Sequence, residues 1–199
     1  MDTENLPTKR NLMHAKEKLK ILQQGHDLLE KKQKVLQFEL NRTNKKVYAQ
    51  YIKLHSQLEN AKQLLQEAQL KLGHQKIQKI IENTPRQQVC SVYTRSIFGV
   101  QIYDIAVPKK APPHYSIYES STLLDETYCK WQDVKITLLQ LAVLEATSAS
   151  LSSALKKAKI RTAALKNMTI PLCEQRVSVI SSQLEERERD ELVRMLRFR

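Results

Sequence analysis

Glycine is scarce in this chain of 199 residues. It contains only Gly25, Gly73 and Gly99, whereas glycine makes up about 7% of an average soluble protein. Tight turns rely on glycine because it adopts positive φ without steric cost, so the chain is expected to contain few turns. Leu, Lys, Gln, Ala and Glu are abundant instead, and all five are good helix formers. The composition therefore predicts an all-α fold class.

Segments that would carry the chain into or across a membrane are also missing. No apolar run approaches the roughly 20 residues that a bilayer-spanning helix needs, and the first residues are polar, with no signal-peptide core behind them. Cys90, Cys129 and Cys173 lie too far apart in sequence for a compact zinc motif and are too few for a disulfide framework. We predict a cytoplasmic protein without direct membrane insertion.

Sequence patterns for catalysis are equally rare. Neither the P-loop pattern nor the glycine pattern of dinucleotide-binding proteins occurs. The five histidines are scattered along the chain: His14, His26, His55, His74 and His114. The acidic residues between 185 and 191 alternate with arginines, and ion pairs at i,i+3 and i,i+4 explain that pattern without a metal. We predict a non-catalytic protein that has no catalytic residues, no cofactor and no metal site.

The N-terminal segment, positions 1–84, has the periodicity of one long helix. Apolar side chains recur every three or four residues from Leu12 to Leu72, and no proline occurs between Thr8 and Asn83. Such regularity predicts a coiled-coil seam, with a local irregularity between positions 36 and 47 where the steps run 4, 4 and 3. Three slots of the seam are polar: His26, Gln33 and Asn44.

The central insertion, residues 85–119, has a different character. β-branched and aromatic residues predominate between positions 89 and 107, which predicts two short strands that turn near Thr94–Ser96 or near Gly99. Three prolines follow and indicate an extended loop. Helical periodicity returns in residues 120–199, where Pro171 is expected to kink the helix or remove one hydrogen bond.

Two long helices joined by a compact insertion can bury their apolar stripes by folding back on each other. The predicted fold is therefore a long antiparallel two-helix coiled-coil hairpin with a short β-hairpin-like insertion. The predicted stripe of the second helix consists of Leu124, Tyr128, Trp131, Val134, Leu138, Leu141, Leu144, Leu151, Leu155, Ala158, Leu165, Met168, Leu172, Ile180, Leu184, Leu192 and Met195.

The formal net charge is +12, of which +7 lies in residues 1–84, +2 in residues 85–119 and +3 in residues 120–199. The basic side chains alternate with Glu and Gln along the helices, and few aromatic residues lie among them as stacking platforms for nucleic acid. A solvated helix surface explains this pattern, and so does attraction to an acidic protein socket.

Two segments resemble a known family. The first is Leu6-Pro7-Thr8-Lys9 followed by the run from Gly25 to Lys32. The second comprises Arg161 to Leu165, then Ile170-Pro171, then Leu184 to Glu191. In this order and at these spacings they resemble the D subunit of V-type and archaeal A-type rotary ATPases, and the resemblance extends over nearly the whole chain.

The resemblance implies a central-stalk rotor shaft that transmits torque but catalyses nothing. Its termini would bind the hexamer of A and B subunits, its insertion would bind the small F subunit, and its lower end would rest on the funnel-shaped subunit (C or d) above the membrane ring. The hexamer-binding residues would be Pro7, Thr8, Lys9, Leu12, Arg187, Arg189, Leu192 and Met195. The family motif would place Gly25, His26, Leu29, Arg161, Leu165, Ile170 and Pro171 in the helix pair. The F-binding residues would be Val100, Ile102, Tyr103 and Ile105.

Two other function classes remain open at this stage. A stalk protein of a type III secretion or flagellar ATPase would have a similar form, but such a protein would not need the strand-rich insertion. A generic coiled-coil adaptor or nucleic-acid binder would share the composition and the basic charge. Salt-dependent binding to DNA would favour a nucleic-acid binder, whereas binding to an A/B ring would favour the rotor shaft.

Overall fold

The computed structural model describes residues 8–83, 91–106, 115 and 121–197, and the chain divides into two compact units. We call Met1–Gln37 together with Ala154–Arg199 the terminal unit, and Phe38–Ser153 the central unit. The elements are α1 (Lys9–Leu72), α2 (His74–Asn83), β1 (Val92–Ile97), β2 (Val100–Ile105), α3 (Thr122–Ala164), a π-helical turn (Leu165–Thr169) and α4 (Ile170–Arg197). The predicted helical character with one short strand pair is confirmed.

Helix α1 ends earlier than the sequence predicts. The continuous helix expected up to Asn83 is interrupted at Gly73, which has a φ of +83°. The Gly73 N–H still donates to the carbonyl of Gln69 at 2.9 Å, the pattern in which a left-handed glycine ends a helix. Helix α2 then begins at His74. The prediction of a single helix over this segment was therefore wrong for the residues from Gly73 onward.

In the terminal unit, two helical stretches run in opposite directions. Nζ of Lys9 lies 2.9 Å from Oε1 of Glu188, and Nε2 of Gln33 donates to Oγ1 of Thr162 at 2.7 Å. Residue numbers thus rise along α1 while they fall along the facing stretch. Among the residues of this unit that the structure describes, the buried side chains are Leu36, Leu155, Ala158, Thr162, Cys173 and Ile180.

The central unit has similar polar pairs and a small hydrophobic core. Thr137 donates to Oε1 of Gln57 at 2.8 Å and Ser148 to Oδ1 of Asn44 at 2.7 Å. The core cluster consists of Ala68, Ile77, Ile80 and Leu124, with Leu72 and Tyr115 packed against it. Because Gly73 redirects the chain, α2 can place its isoleucines on this cluster instead of extending the stripe of α1.

Strands β1 and β2 form an antiparallel pair in which Ile97 faces Val100. Phe98 and Gly99 make the two-residue turn, with φ angles of +52° and +75°, as a type I′ hairpin turn requires. Of the two turn positions that the sequence left open, the one at Gly99 is observed. Val100 and Ile102 are buried on one face of β2.

The predicted apolar stripe of the second helix is partly buried and partly exposed. Pro171 cannot donate a backbone hydrogen bond, and just before it the chain forms the π-helical turn, in which the Ile170 N–H donates to the carbonyl of Leu165. A π turn contains an extra residue compared with an α turn, so the buried position directly after it is displaced by one residue. Cys173 is buried, whereas the predicted Leu172 is 67% exposed.

Other members of that stripe are also exposed. Met168 lies within the π-helical turn, and at Leu138 the neighbouring Thr137 is buried instead. Leu192 and Met195 follow Glu188, which already lies opposite the first residue of α1. The part of the chain that the structure describes contains no helix opposite those two side chains. The amphipathic pattern therefore locates the seam but not its end.

One helical stretch, Thr122–Arg197, is long and apolar enough to cross a membrane by length and composition alone. The same stretch uses Thr137, Ser148 and Thr162 to bond to side chains of α1. These contacts place polar groups of the stretch against protein. The absence of direct membrane insertion stays a prediction.

Candidate interaction surfaces

The first candidate surface is formed in the terminal unit by the start of α1 and the last part of α4. Oγ1 of Thr8 accepts from the N–H of Asn11 at 3.2 Å and so caps α1. Lys9, the first helical residue, pairs with Glu188, and this hydrogen bond together with the charge of Glu188 raises the pKa of Lys9. The structure thus brings two distant sequence segments of the predicted hexamer-binding set together.

The remaining residues predicted to bind the hexamer differ in accessibility. Leu12 is half-buried, Arg187 and Arg189 are exposed, and Pro7 lies outside the described residues. The end of α4 carries a group of exposed apolar side chains, which we call the α4 end patch: Leu192, Val193, Met195 and Leu196, each at least 50% exposed. Val193 and Leu196 were not predicted, although Leu196 lies one helical turn after Leu192 and Val193 lies three residues before Leu196.

Charge distinguishes this surface as well. The terminal unit contains 19 basic and 11 acidic residues, a net charge of +8, whereas the central unit contains 14 and 10, a net charge of +4. Exposed apolar side chains among basic ones favour a protein partner with an acidic, partly apolar lining.

The residues of the family motif lie on both facing stretches near the level of the π-helical turn. Gly25, His26 and Leu29 are half-buried on α1, and Leu165 and Ile170 are half-buried on the facing stretch, whereas Arg161 and Pro171 are exposed. The buried residue is Thr162, which holds Gln33 and also donates to the carbonyl of Ala158 at 3.0 Å. The burial of Thr162 was not predicted, although Leu155, Ala158 and Thr162 follow one another at steps of three and four residues.

A polar groove lies beside this level of the terminal unit. Its volume is about 410 Å³, and it is lined by His26, Glu30, Gln33, Lys159, Thr162, Ala163, Lys166 and Asn167. The His26 side chain is 13% exposed, and its two ring nitrogens lie 3.5 Å from Oδ1 of Asp27 and 3.8 Å from Oε1 of Glu30. Nε2 of His26 is buried without a hydrogen-bond partner, so not every polar atom of the groove has its hydrogen-bonding capacity satisfied.

In the strand pair, fewer of the predicted contact residues are exposed than expected. Val100 and Ile102 are buried, Ile105 is half-buried and Tyr103 is 41% exposed. Val92 and Tyr93 on β1 and Phe98 in the turn are each more than half exposed. A partner of the insertion would therefore meet Tyr103 and these three side chains first.

An apolar cavity adjoins the core of the central unit. It has a volume of about 320 Å³ and is lined by Leu65, Ile77, Ile80, Ile81, Tyr115, Leu124, Thr127, Tyr128 and Trp131. The hydroxyl of Tyr115 donates to Oδ1 of Asp125 at 2.5 Å, and its ring meets that of Tyr128 edge to face. Burial and the Asp125 carboxylate raise the pKa of Tyr115.

Among the described residues, no group of three or more His, Cys, Asp or Glu side chains is arranged to hold a metal ion. The described cysteines, Cys129 and Cys173, are both free, and Cys129 is the exposed one.

Comparison with known proteins agrees with these features. Residues 11–199 match the family described as the D subunit of ATP synthase. The V-type ATP synthase D subunit of Thermotoga neapolitana is 31% identical over 97% of this chain and 96% of its own length. The corresponding figures are 28%, 97% and 94% for the V-type D subunit of Enterococcus faecalis, and 26%, 97% and 92% for the A-type D subunit of Pyrococcus abyssi. The chain therefore belongs to the family of D subunits of V- and A-type ATP synthases.

Proposed function

We propose that this chain is the non-catalytic central rotor shaft of a V/A-type ATPase, in which it transmits torque between the A/B catalytic hexamer and the membrane rotor ring. The observation that carries the proposal is the α4 end patch, an exposed apolar surface that follows the contact of Lys9 with Glu188 in the more basic unit. Exposed apolar surface of this kind indicates a protein partner.

In this proposal, α1 and the α3–α4 stretch form one antiparallel coiled-coil hairpin over their full length. The antiparallel contacts in each unit support that arrangement. The terminal unit would enter the central opening of the A/B hexamer, where acidic lining residues would attract its charge of +8. Because two helices lack threefold symmetry, the three catalytic interfaces of the ring would each meet a different surface of the shaft.

The other partners follow from the same proposal. The F subunit would bind the insertion through Tyr103 and the exposed side chains of β1, and the funnel-shaped subunit (C or d) would connect the shaft to the membrane ring. The chain would then be cytoplasmic and peripheral to the membrane, and ion transport would take place in other subunits.

A reconstitution tests the first contact. The A/B hexamer of the same organism is mixed with the full-length chain or with the Leu192→Asp/Met195→Asp double variant. Both side chains are at least 60% exposed, so the substitutions leave the fold of the free chain intact. We expect the double variant to lose at least about tenfold in affinity, the effect of removing about 1.4 kcal/mol of binding free energy.

Leu70→Asp is the matched control, because Leu70 is 86% exposed in the central unit. It should bind the hexamer and change its ATPase rate as the unsubstituted chain does. Full binding by the double variant would show that the α4 end patch is not the contact. Rotation is tested separately, with a bead attached to the central unit and the hexamer immobilised. A bead that stays still while the hexamer hydrolyses ATP would contradict the torque-transmitting role.

A further inference from the structure

Gly25 weakens α1 at a point where nothing in the structure requires a glycine. It lies in the helix interior, and a Cβ atom added there would meet no heavy atom within 4 Å. Glycine destabilises a helix interior relative to alanine because it loses more conformational freedom on folding. Neither a close approach of another element nor a positive φ compensates for that cost at Gly25.

The facing helical stretch is irregular at the same level. Lys9 pairs with Glu188 and Gln33 with Thr162, so the α1 segment 9–33 lies opposite the slightly longer segment 162–188. Gly25 is two thirds of the way from Lys9 to Gln33, and the corresponding point of the facing segment is at Ile170 and Pro171. The π-helical turn lies immediately before them and accommodates part of the surplus length.

Packing is poor at this level and better on both sides. The π-helical turn has no buried residue, and Met168 within it is 72% exposed. His26 contributes a buried nitrogen without a hydrogen-bond partner and lies beside a groove of about 410 Å³. In contrast, Leu36 and Thr162 are buried on one side, and Cys173 and Ile180 on the other. Elements with few buried contacts open at lower free energy than their surroundings.

We propose that Gly25 and the π-helical turn together form a bending joint within the terminal unit. A pair of helices bends only where both yield at one level, and here a glycine in one lies opposite a π turn followed by proline in the other. Proline and π turns are recognised causes of bends in helices. The joint goes beyond the proposed function, because it would exist in the free chain.

Distances between two spin labels on α1 test the joint directly. Cys90→Ser, Cys129→Ser and Cys173→Ala remove the native thiols. Labels are placed at Met13→Cys and Lys34→Cys, two exposed positions on either side of Gly25. The control pair, Arg42→Cys and Gln63→Cys, has the same spacing on α1 in the central unit, and both positions are exposed. Each pair spans about 31 Å of helix, a range that pulsed electron–electron double resonance measures well.

We expect the distance distribution across Gly25 to be about twofold wider than that of the control pair. A bend at Gly25 changes the distance between the labels at positions 13 and 34 but not the distance between the control labels. Gly25→Ala should narrow it to the width of the control, whereas Gln24→Ala, at an exposed neighbouring position, should leave it unchanged. Pro171→Ala should narrow it as well, since alanine restores a backbone donor. Equal widths for the two pairs would overturn the joint, and so would a width that does not respond to Gly25→Ala.

Amide hydrogen exchange of the unsubstituted chain gives a second measurement. Exchange should be faster at residues 25–28 and 166–170 than at residues 33–37 and 155–162, and Gly25→Ala should slow it. Uniform protection along the terminal unit would contradict the proposal.

Discussion

The two units are built from the same long helices but are stabilised in different ways. The central unit adds α2 to the helix pair, so that Ile77 and Ile80 of α2 complete a cluster with Ala68 and Leu124. In the terminal unit, the buried side chains occur singly along the helices and alternate with polar contacts such as that of Gln33 with Thr162. A two-helix seam buries less apolar surface than a core with a third element, so the central unit should supply more of the stability.

Truncating one buried side chain in each unit tests that difference and should have the largest effect on stability. Ile77 and Ile180 are both 3% exposed, one in each unit. Ile77→Ala should lower the free energy of unfolding by about 2–5 kcal/mol, and Ile180→Ala by an amount nearer the lower limit, because a thin seam collapses more easily around the lost volume. Urea denaturation followed by circular dichroism measures both variants.

Trp131, the one tryptophan of the chain, lies in the central unit and reports its unfolding by fluorescence. Ile81→Ala is the control, because Ile81 is 64% exposed next to Ile80 and its truncation should change stability by less than about 0.5 kcal/mol. A greater loss for Ile180→Ala than for Ile77→Ala would reverse the comparison between the units.

The polar seam of the terminal unit provides the next effect. Thr162→Val removes the acceptor of Gln33 and leaves a half-buried amide without its partner, which should cost about 1–3 kcal/mol. The double variant Gln33→Leu/Thr162→Val replaces both groups by apolar ones and should recover most of that loss. Thermal unfolding of the single and double variants measures the coupling. Equal destabilisation by both would mean that the hydrogen bond contributes nothing.

The turn of the strand pair offers a stabilising change in the central unit. Phe98 has a φ of +52°, a conformation that a bulky residue adopts at a cost, and asparagine followed by glycine is the preferred pair in a type I′ turn. Phe98→Asn should therefore raise the free energy of unfolding by up to about 1 kcal/mol, within the range for relieving one left-handed residue. Phe98→Ala should gain less, since alanine also disfavours positive φ. A loss on Phe98→Asn would show that the Phe98 side chain stabilises the hairpin.

The smallest effect concerns the Lys9–Glu188 ion pair, which is exposed to solvent. Because Glu188 raises the pKa of Lys9 above its ordinary value of 10.5, the pair stabilises the fold below pH 10.5 and loses that contribution as pH rises through the folded-state pKa. Nuclear magnetic resonance of the Lys9 side chain, titrated in the unsubstituted chain and in Glu188→Gln, should show a lower pKa in the variant. Equal pKa values would place the two side chains apart in solution.

The sequence predicted some features of both units and missed others for physical reasons. The periodicity of α1 identified its buried side correctly, because a regular helix repeats every 3.6 residues. It failed at Gly73, where one backbone angle ends the helix, and after Pro171, where the π turn shifts the stripe from Leu172 to Cys173. Single local deviations of this kind leave the composition and the average period unchanged, so periodicity does not reveal them, although Pro171 itself indicated an irregularity.

The contact residues at the candidate surfaces stay predictions, and their exposure in the structure differs from residue to residue. Lys9 is placed beside a helix end that carries Arg187 and Arg189, but Val100 and Ile102 are buried on one face of β2. Alternation along a strand distinguishes two faces without indicating which one the fold covers. Val193 and Leu196 could have been found, because they extend the exposed apolar surface around Leu192.

The contact between Lys9 and Glu188 also has a consequence for chain topology. It holds the beginning of α1 beside α4, so a flexible linker could connect the end of α4 to the start of α1 while new termini are opened between Phe98 and Gly99, in an exposed turn. Such a circular permutant would keep the helical contacts while reversing the order in which the two long helices are synthesised. The fold depends on which helical segments contact each other. More than one order of those segments along the chain would allow the same contacts.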